Sequence, residues 1–523
     1  MNFFVRKLGV ILFASAWLIA CGDDSATSSL SENMEMDDSQ GLIGIESSES
    51  FAIDIASSSS TFIPAELTPY SSFGEASETF SSSSRIDTFM VSSSSMDPMP
   101  DHGVPYMRIL VDDATVLSRT DSVGEPAYIE CTVEVAGNGK YSDIPKRTAK
   151  IKQRGNSTRL WYDKKPYRIK FQDKTEMLGL AANKDWVLLA NFRDPTNFMN
   201  ALAFDMAREM GSFDFVNANR FVEVEINGDY KGLYRLTEQI ERSENRVNIA
   251  ADGVLLSLDQ DDGPELSPEA TDNFWSATYK LPVAVKYPKT LDENNRDQIR
   301  SDFKQLEDAI ASADYDLVQT LLDVNTLIDF LILQEITRNV ELEAPRSMYL
   351  YKASAQGKYA FGPVWDFDGG FGYSWNEETK EYFYSQSWIL GSGNPSESPY
   401  NCIAEKKNDW GMCASSGFGG FGGALWDGSA ASGFFTNLFS NEYFVADYKE
   451  RWLQLASNIS DVVSERLDSY STENALAMEN DAARWPWPQR NSGSGKNFSA
   501  SILQLQTWIQ KRIADYTAVV NGY

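Results

Sequence analysis

Between residues 107 and 258 apolar and polar residues alternate in short runs, whereas beyond residue 294 the apolar positions recur every three or four residues. A period of two marks strands with one buried face, and a period near 3.6 marks helices. The first pattern predicts strands at Met107–Val111, Ala127–Val135, Thr148–Gln153, Tyr167–Phe171, Asp185–Ala190, Phe221–Ile226, Gly232–Leu236 and Val254–Leu258, with one more at Val283–Val285. Asn227-Gly228 predicts a two-residue hairpin between two of them. One helix, over Asn197–Met210, interrupts the strands after Asp194-Pro195-Thr196. The second pattern predicts helices over Asn294–Ala311, Leu317–Leu322 and Asn325–Arg338, with Pro345 ending helical structure. Ser347–Lys352 and Lys358–Val364 then read as a hairpin. After a loop-rich stretch, helices resume at Phe434–Phe439, Glu442–Leu455 and Ser499–Val520.

The first hundred residues have neither period. Arg6 and Lys7 precede an apolar run from Leu8 to Ala20 that ends in Leu18-Ile19-Ala20-Cys21. This resembles the lipobox of bacterial lipoproteins, which implies a signal peptide over residues 1–21 and a lipid on Cys21; an ordinary cleaved signal is the alternative. The run is too short for a good membrane span. Gly22 after the cysteine points to the outer membrane or cell surface. Residues 22–103 carry serine runs at Ser57–Ser60, Ser81–Ser84 and Ser92–Ser95 among acidic residues. Such a segment buries too little surface to offset chain ordering and reads as a disordered tether. The sheet-rich part then spans 104–290 and the helical part 291–523.

Composition narrows the chemistry. The chain has 523 residues and 42% hydrophobic residues, enough for two or three domains or one large two-lobed body. A net charge of −29 argues against binding a nucleic-acid backbone. The single histidine, His102, lies before the predicted body, which excludes histidine catalysis and His-rich zinc sites. Carboxylates, lysines, arginines and hydroxyls remain. Cys402 and Cys413 flank a Gly- and Trp-rich loop and could close it in an oxidising space. Cys131 falls in an apolar strand and reads as a buried free thiol.

Two stretches carry candidate chemistry. Gly362–Tyr373 reads GPVWDFDGGFGY, with Asp366 and Asp368 one residue apart. On a strand both would face one cleft. Paired carboxylates repel unless a cation, an arginine or a proton lies between them, and Mg²⁺ suits such oxygen ligands. The alternative is a strand end whose acids face water. The second stretch is Arg154-Gly155-Asn156-Ser157-Thr158 with the following Lys164–Phe171. Turn amides and hydroxyls ringed by Arg154, Lys165 and Lys170 make an anion cradle, or else a basic hairpin on a solvated face.

Taken in order, RGNST with KKPYRIKF, LLANFRDPTNFMNALAFDMARE, FVEVEINGDYKGLYRLTEQIE with RVNI, VAVKYP, DFLILQEITRNVELEAPRSMYLYK and GPVWDFDGGFGY resemble the CotH family, the spore-coat-protein-H-like atypical protein kinases. The resemblance covers roughly residues 104–380. It implies an α+β, divergent bilobal protein-kinase-like fold, with a sheet-rich N-terminal lobe for nucleotide and a helical C-terminal lobe. It further implies transfer of the ATP γ-phosphoryl group to serine of a partner protein or of the chain's own tether, with Mg²⁺ or Mn²⁺. By the resemblance, Asp366 is the metal-binding aspartate and Asp368 a second ligand or structural acid. Asn339 and Glu341 fall on the Asn-x-Asp catalytic element. Arg154, Lys165 and Lys170 match the basic region, and Glu238 matches the acid of GLYxLxE. A Lys170–Glu238 pair could orient the phosphate-contacting cation, with Lys286 as a rival.

The chain departs from the family where Glu341, or failing that Glu343, stands in place of aspartate. One added methylene moves a carboxylate by about an ångström, and misplacement on that scale can cost ~10²-fold in rate. ATP is also scarce outside the cytoplasmic membrane. Two functions therefore stay open. One is a lipid-anchored, metal-dependent protein kinase, whose partners are ATP, a serine-containing protein and the membrane. The other is a catalytically silent module that binds a partner or glycan through Trp375, Trp388, Trp410 and Trp426. A glycoside hydrolase using Asp366 and Glu341 ranks last.

Overall fold

The computed structural model describes residues 98–120, 126–260, 272–343, 345–372, 433–486 and 498–523. All of them fall in one compact unit, Val91–Tyr523. The signal segment with Cys21, the expected tether up to residue 97, Cys402, Cys413 and the four tryptophans above lie outside the described residues, whereas residues 98–103 pack on the folded body.

Seven strands close into a barrel: β1 (Tyr106–Leu110), β2 (Ile129–Ala136), β3 (Ile144–Gln153), β4 (Tyr167–Met177), β5 (Leu180–Leu189), β6 (Arg220–Ile226) and β7 (Asp229–Glu238). The order around it is β1-β2-β3-β4-β5-β7-β6. Every neighbouring pair is antiparallel except β1 with β6, whose parallel register (Tyr106 opposite Glu223, Ile109 opposite Ile226) closes the ring. The predicted hairpin is present, with Asn227 at φ 52° and Gly228 at φ 81°, the left-handed pair that such a turn requires. Alternate residues fill the interior, among them Met107, Ile109, Val133, Ile151, Ile169, Trp186, Val224 and Leu236. Cys131 is among them, reduced and buried, and burial raises its thiol pKa to about 12.

His102 belongs to the folded body, with Nδ1 2.6 Å from the buried Glu223 carboxylate and 3.0 Å from the Asn480 amide. Its ordering comes from the closed barrel wall, which a pattern of apolar positions does not foretell.

A second, five-stranded sheet orders β12 (Tyr359–Phe361), β11 (Met348–Lys352), β8 (Val254–Leu258), β10 (Pro282–Tyr287) and β9 (Asn273–Trp275). The helices are α1 (Ser157–Trp161), α2 (Met199–Met210), α3 (Glu293–Ala311), α4 (Tyr315–Leu321), α5 (Val324–Thr337), α6 (Glu442–Glu473), α7 (Ala475–Arg484) and α8 (Phe498–Asn521). The arrangement is thus mixed α+β, sheet-rich in its N-terminal part and helical in its C-terminal part. α5 (VNTLIDFLILQEIT) is buried on almost every side, Asn325 alone excepted, and so carries more apolar residues than a one-faced helix. Its few acids are matched: Arg451 of α6 makes two bonds to Asp329, at 2.7 and 2.8 Å, and Arg512 of α8 reaches Glu335 at 2.8 Å.

α6 runs 32 residues, far past the predicted Leu455, and α7 follows at once. Its buried positions, Phe444, Tyr448, Trp452, Leu455, Ile459, Val463 and Leu467, keep helical spacing throughout, but they are diluted by serines and acids beyond Leu455. α7 docks on β7 where Gly232 leaves room: a Cβ there would lie 2.2 Å from Asp481 Oδ1. Asp481 Oδ1 instead accepts the Leu233 N–H at 2.9 Å and the Lys164 ammonium at 2.8 Å, with both side chains fully buried.

Candidate functional site

The end of α5 and the loop after β12 meet, and the predicted acids meet with them. Arg338 caps α5 in the left-handed conformation (φ 47°), giving its N–H to the Gln334 and Glu335 carbonyls. The chain then turns through Asn339 into a short 3₁₀ turn, Val340–Glu343, which carries Glu341. The Asn339 side-chain oxygen accepts the Glu341 N–H at 3.3 Å, and its amide donates to the Asp366 carbonyl at 3.0 Å. One side chain thereby ties the Glu341 turn to the aspartate loop.

The aspartates do not sit on a strand. β12 stops at Phe361, and Asp366 takes a left-handed backbone (φ 65°), a conformation that costs free energy in a non-glycine residue and recurs at functional sites. Surrounding contacts hold it there. Asn200 Oδ1 of α2 accepts the Phe367 N–H at 2.7 Å, and the Thr337 carbonyl accepts the Phe371 N–H at 2.7 Å. Gly370 is required for this return, since a Cβ would approach the Thr337 carbonyl oxygen to 2.8 Å.

The electrostatics of the cluster are those of crowded, half-buried acids. Burial drives the Asp366 pKa well above the ordinary carboxylate range; Asp368 and Glu341 push the same way, and Arg193 and Arg154 oppose. Arg193 Nη1 stands 4.0 Å from Asp368 Oδ1, and Arg154 lies over the Trp365 ring at 5.6 Å. Burial lowers the Arg154 pKa, while Tyr349 and Asp366 hold it up. The Ser347 hydroxyl is 3.3 Å from Asp366 Oδ2.

Below this group lies Asp194, fully buried. It accepts the Thr196 N–H and hydroxyl and the Met199 N–H, so it caps α2 although burial raises its pKa. Arg235 of β7 is fully buried too, packed 5.1 Å over Phe204, and none of its three guanidinium nitrogens has a hydrogen-bond partner among the described residues. Burial lowers its pKa to about 10, against the pull of Asp194, Asp368 and Asp366.

Of the predicted site residues, the structure brings together Asn339, Glu341, Asp366, Asp368 and Arg154. The others have work elsewhere. Lys165 donates to the carbonyls of Arg159 and Tyr162, closing α1 from below. The Gly-Asn-Ser-Thr stretch is not an open cradle: it starts that helix, and Arg159 Nε bonds back to the Gly155 carbonyl at 3.0 Å. Lys170 and Glu238 do not pair, for Lys170 faces Asp185 at 3.8 Å while Glu238 accepts the Ala218 N–H at 2.8 Å. The two residues are on strands separated by β5, which supplies Asp185 in between. Lys286 stands at the end of β10 beside Lys289.

Arg193, Asp194, Asn200, Ser347 and Arg235 were missed from the sequence. The signal for the first two was the stretch Asn191-Phe192-Arg193-Asp194-Pro195-Thr196-Asn197 opening an apolar helix, in which Asn200 lies. Arg235, flanked by Leu233, Tyr234 and Leu236 in β7, was a second.

Among the described residues no group of three or more His, Cys, Asp and Glu side chains is arranged to hold a metal unaided. Asp366 and Asp368 fit a smaller task. Mg²⁺ binds through one or two carboxylates with waters and substrate phosphates completing the shell, and a half-buried pair of neighbouring acids suits it. A cavity of about 410 Å³ lined by Asp214, Arg246, Tyr351 and Pro363 lies apart from these acids.

Two half-buried acids, a third carboxylate on a neighbouring turn and arginines at the edge thus form one cluster. The model of the CotH kinase protein family matches residues 151–515, and the chain belongs to that family. A comparison with curated proteins finds no match.

Proposed function

We propose that the protein is a metal-dependent atypical protein kinase with a two-lobed, kinase-like body, transferring the γ-phosphoryl group of ATP to serine. The observation that carries this reading is the convergence of Asn339 and Glu341 on Asp366 across two separate segments. Phosphoryl transfer needs positioning and charge neutralisation more than covalent chemistry, so a site without histidine suffices.

Asp366 and Asp368 would hold Mg²⁺ or Mn²⁺, which supplies charge neutralisation at the phosphates. Arg154, at the edge of the cluster, contacts phosphate oxygens. Glu341 takes the proton of the serine hydroxyl as the bond from serine oxygen to phosphorus forms and the bond to the ADP oxygen breaks. Asn339 is a positioning residue, since both ends of its amide are engaged in holding the two segments. Cys21 carries the lipid, residues 22–97 form the tether, and the body acts outside the cytoplasmic membrane. The acceptor serine belongs to a partner protein or to that tether.

The second reading, a silent partner- or glycan-binding module, is favoured by the added methylene of Glu341. The deciding experiment gives the purified protein γ-labelled ATP with Mg²⁺ or Mn²⁺ and a peptide of the serine-rich tether, beside Asp366→Asn and Glu341→Gln. Transfer abolished in both variants supports the kinase with glutamate as base. Transfer lost only in Asp366→Asn moves the base elsewhere. Absence of both transfer and nucleotide binding overturns the kinase in favour of the silent module.

A further inference from the structure

The cavity beside Asp214 and Arg246 has a volume of about 410 Å³, within the ~300–1,000 Å³ range of small-molecule sites. Three segments enclose it. The chain leaving α2 supplies Phe213 and Asp214, a turn after β7 supplies Glu244–Asn248, and the hairpin of β11 and β12 supplies Tyr351 and Phe361–Pro363. The Tyr351 hydroxyl donates to Asp214 Oδ2 at 2.5 Å and ties the first segment to the third. Backbone bonds close the turn: the Arg246 N–H donates to the Ser243 carbonyl and the Ser243 N–H to the Val247 carbonyl, both at 3.1 Å. Its tip presents Glu244 and Asn245 to solvent, while Arg246 and Val247 are buried.

Floor and mouth differ in character. Phe213, Tyr351, Phe361 and Pro363 are buried and make an apolar, mostly aromatic floor, whereas Asp214, Glu244, Asn245 and Asn248 are exposed. One cation, Arg246, lines the cavity, and it is already matched. Its Nη1 donates to Glu241 Oε1 at 2.5 Å and to the Gln239 carbonyl at 3.1 Å, and its Nη2 donates to the Asp185 carbonyl at 2.5 Å. Among the described residues neither Asp214 nor Glu244 has an ion-pair partner, and the side chains of Asn245 and Asn248 make no hydrogen bond. The mouth is therefore negative and rich in acceptors, above a floor of rings.

We propose that this cavity binds an organic cation with an apolar body, the body resting on the aromatic floor and the ammonium or guanidinium facing Asp214 and Glu244. An anion of the same size would meet like charge, and a neutral molecule would gain nothing from the two carboxylates. The rings add a cation–π attraction. A lysine or arginine next to an apolar residue in a partner segment has this chemistry, and so does a free aryl-alkyl amine. Binding here requires neither nucleotide nor metal, so it is separable from phosphotransfer.

The test compares 2-phenylethylamine, 2-phenylethanol and 3-phenylpropionate by saturation-transfer nuclear magnetic resonance with the whole protein, without nucleotide. The amine should bind ~10-fold more tightly than the other two, and less tightly as salt rises. Asp214→Asn with Glu244→Gln keeps an acceptor for the Tyr351 hydroxyl and should weaken the amine ~10-fold. Asn248→Trp fills the mouth and should abolish binding. Asp461→Asn with Glu465→Gln, two exposed acids of α6, should change nothing. Circular dichroism confirms that each variant is folded. Tighter binding of acetyl-Phe-Lys-amide than of phenylethylamine assigns the site to a basic partner segment, and the reverse order assigns it to a free amine. Equal binding of 3-phenylpropionate, unchanged amine affinity in the double acid variant, or failure of both amine and peptide to bind overturns the proposal. Displacement of the amine by an equal concentration of ATP also overturns it and gives the cavity to nucleotide.

Discussion

Asp481→Asn tests whether the first lysine of the KKPYR stretch is structural. Lys164 has no exposed surface, and its ammonium donates to Asp481 at 2.8 Å and to the Leu233 carbonyl at 2.6 Å while lying 4.7 Å from the Tyr234 ring centre. Asparagine keeps an acceptor for the Leu233 N–H but removes the charge that balances the ammonium. Breaking a buried ion pair on one side costs about 3–5 kcal/mol, because the remaining charge stays buried without compensation. For a body of this size that is a fall in Tm of roughly 5–10 °C. The pair joins α7 to β7, so the loss should be cooperative and visible both in far-ultraviolet circular dichroism and in the fluorescence of Trp485, which bonds the Lys231 carbonyl at 2.9 Å. Lys164→Met combined with Asp481→Leu removes both charges and should recover part of the loss. Two results would refute the reasoning: a Tm change under about 1 °C in Asp481→Asn, or a double variant no better than the worse single one.

Three further outcomes are expected. Gly370→Ala drives a methyl group against the Thr337 carbonyl and shifts the aspartate loop from Asn339; phosphotransfer should fall ~10²-fold with a modest change in Tm, and full activity would contradict the packing. Asp366 keeps its proton to higher pH in the folded state than in the unfolded one, so in metal-free protein stability falls as pH rises above the ordinary aspartate range toward its raised pKa. Asp366→Asn should therefore raise the metal-free Tm near neutrality and lose that advantage in acid, and wild-type Mn²⁺ affinity, followed by electron paramagnetic resonance, should weaken as pH falls. Cys131, buried in the barrel with its thiol pKa near 12, should resist iodoacetamide in native protein and react in urea, as peptide mass spectrometry would read.

The sequence alone determined the local elements and much of the site's membership. Alternation located most of the strands, Asn227-Gly228 located the turn, and apolar residues at helical spacing over Asn325–Arg338 located α5. Asp366 and Asp368 were legible because paired carboxylates repel unless something lies between them, whereas Asn339 and Glu341 were legible only through the resemblance to the CotH family. The tertiary structure decided what local pattern cannot hold. Closure of the barrel depends on β1 pairing with β6, more than a hundred residues away, and periodicity says nothing about partners. The left-handed backbone at Asp366 comes from distant anchors, Asn200 and Thr337, rather than from the strand that the alternation implied. The roles of the basic residues were also settled at a distance. Lys164, Lys165 and Lys170 are near one another in sequence, yet a helix-borne acid, two carbonyl oxygens and a neighbouring strand's carboxylate claim them separately. Arg154 was left at the acids because β3 ends beside Trp365. Charge is written in the sequence, but its partner is chosen by proximity, and only the folded chain sets proximity.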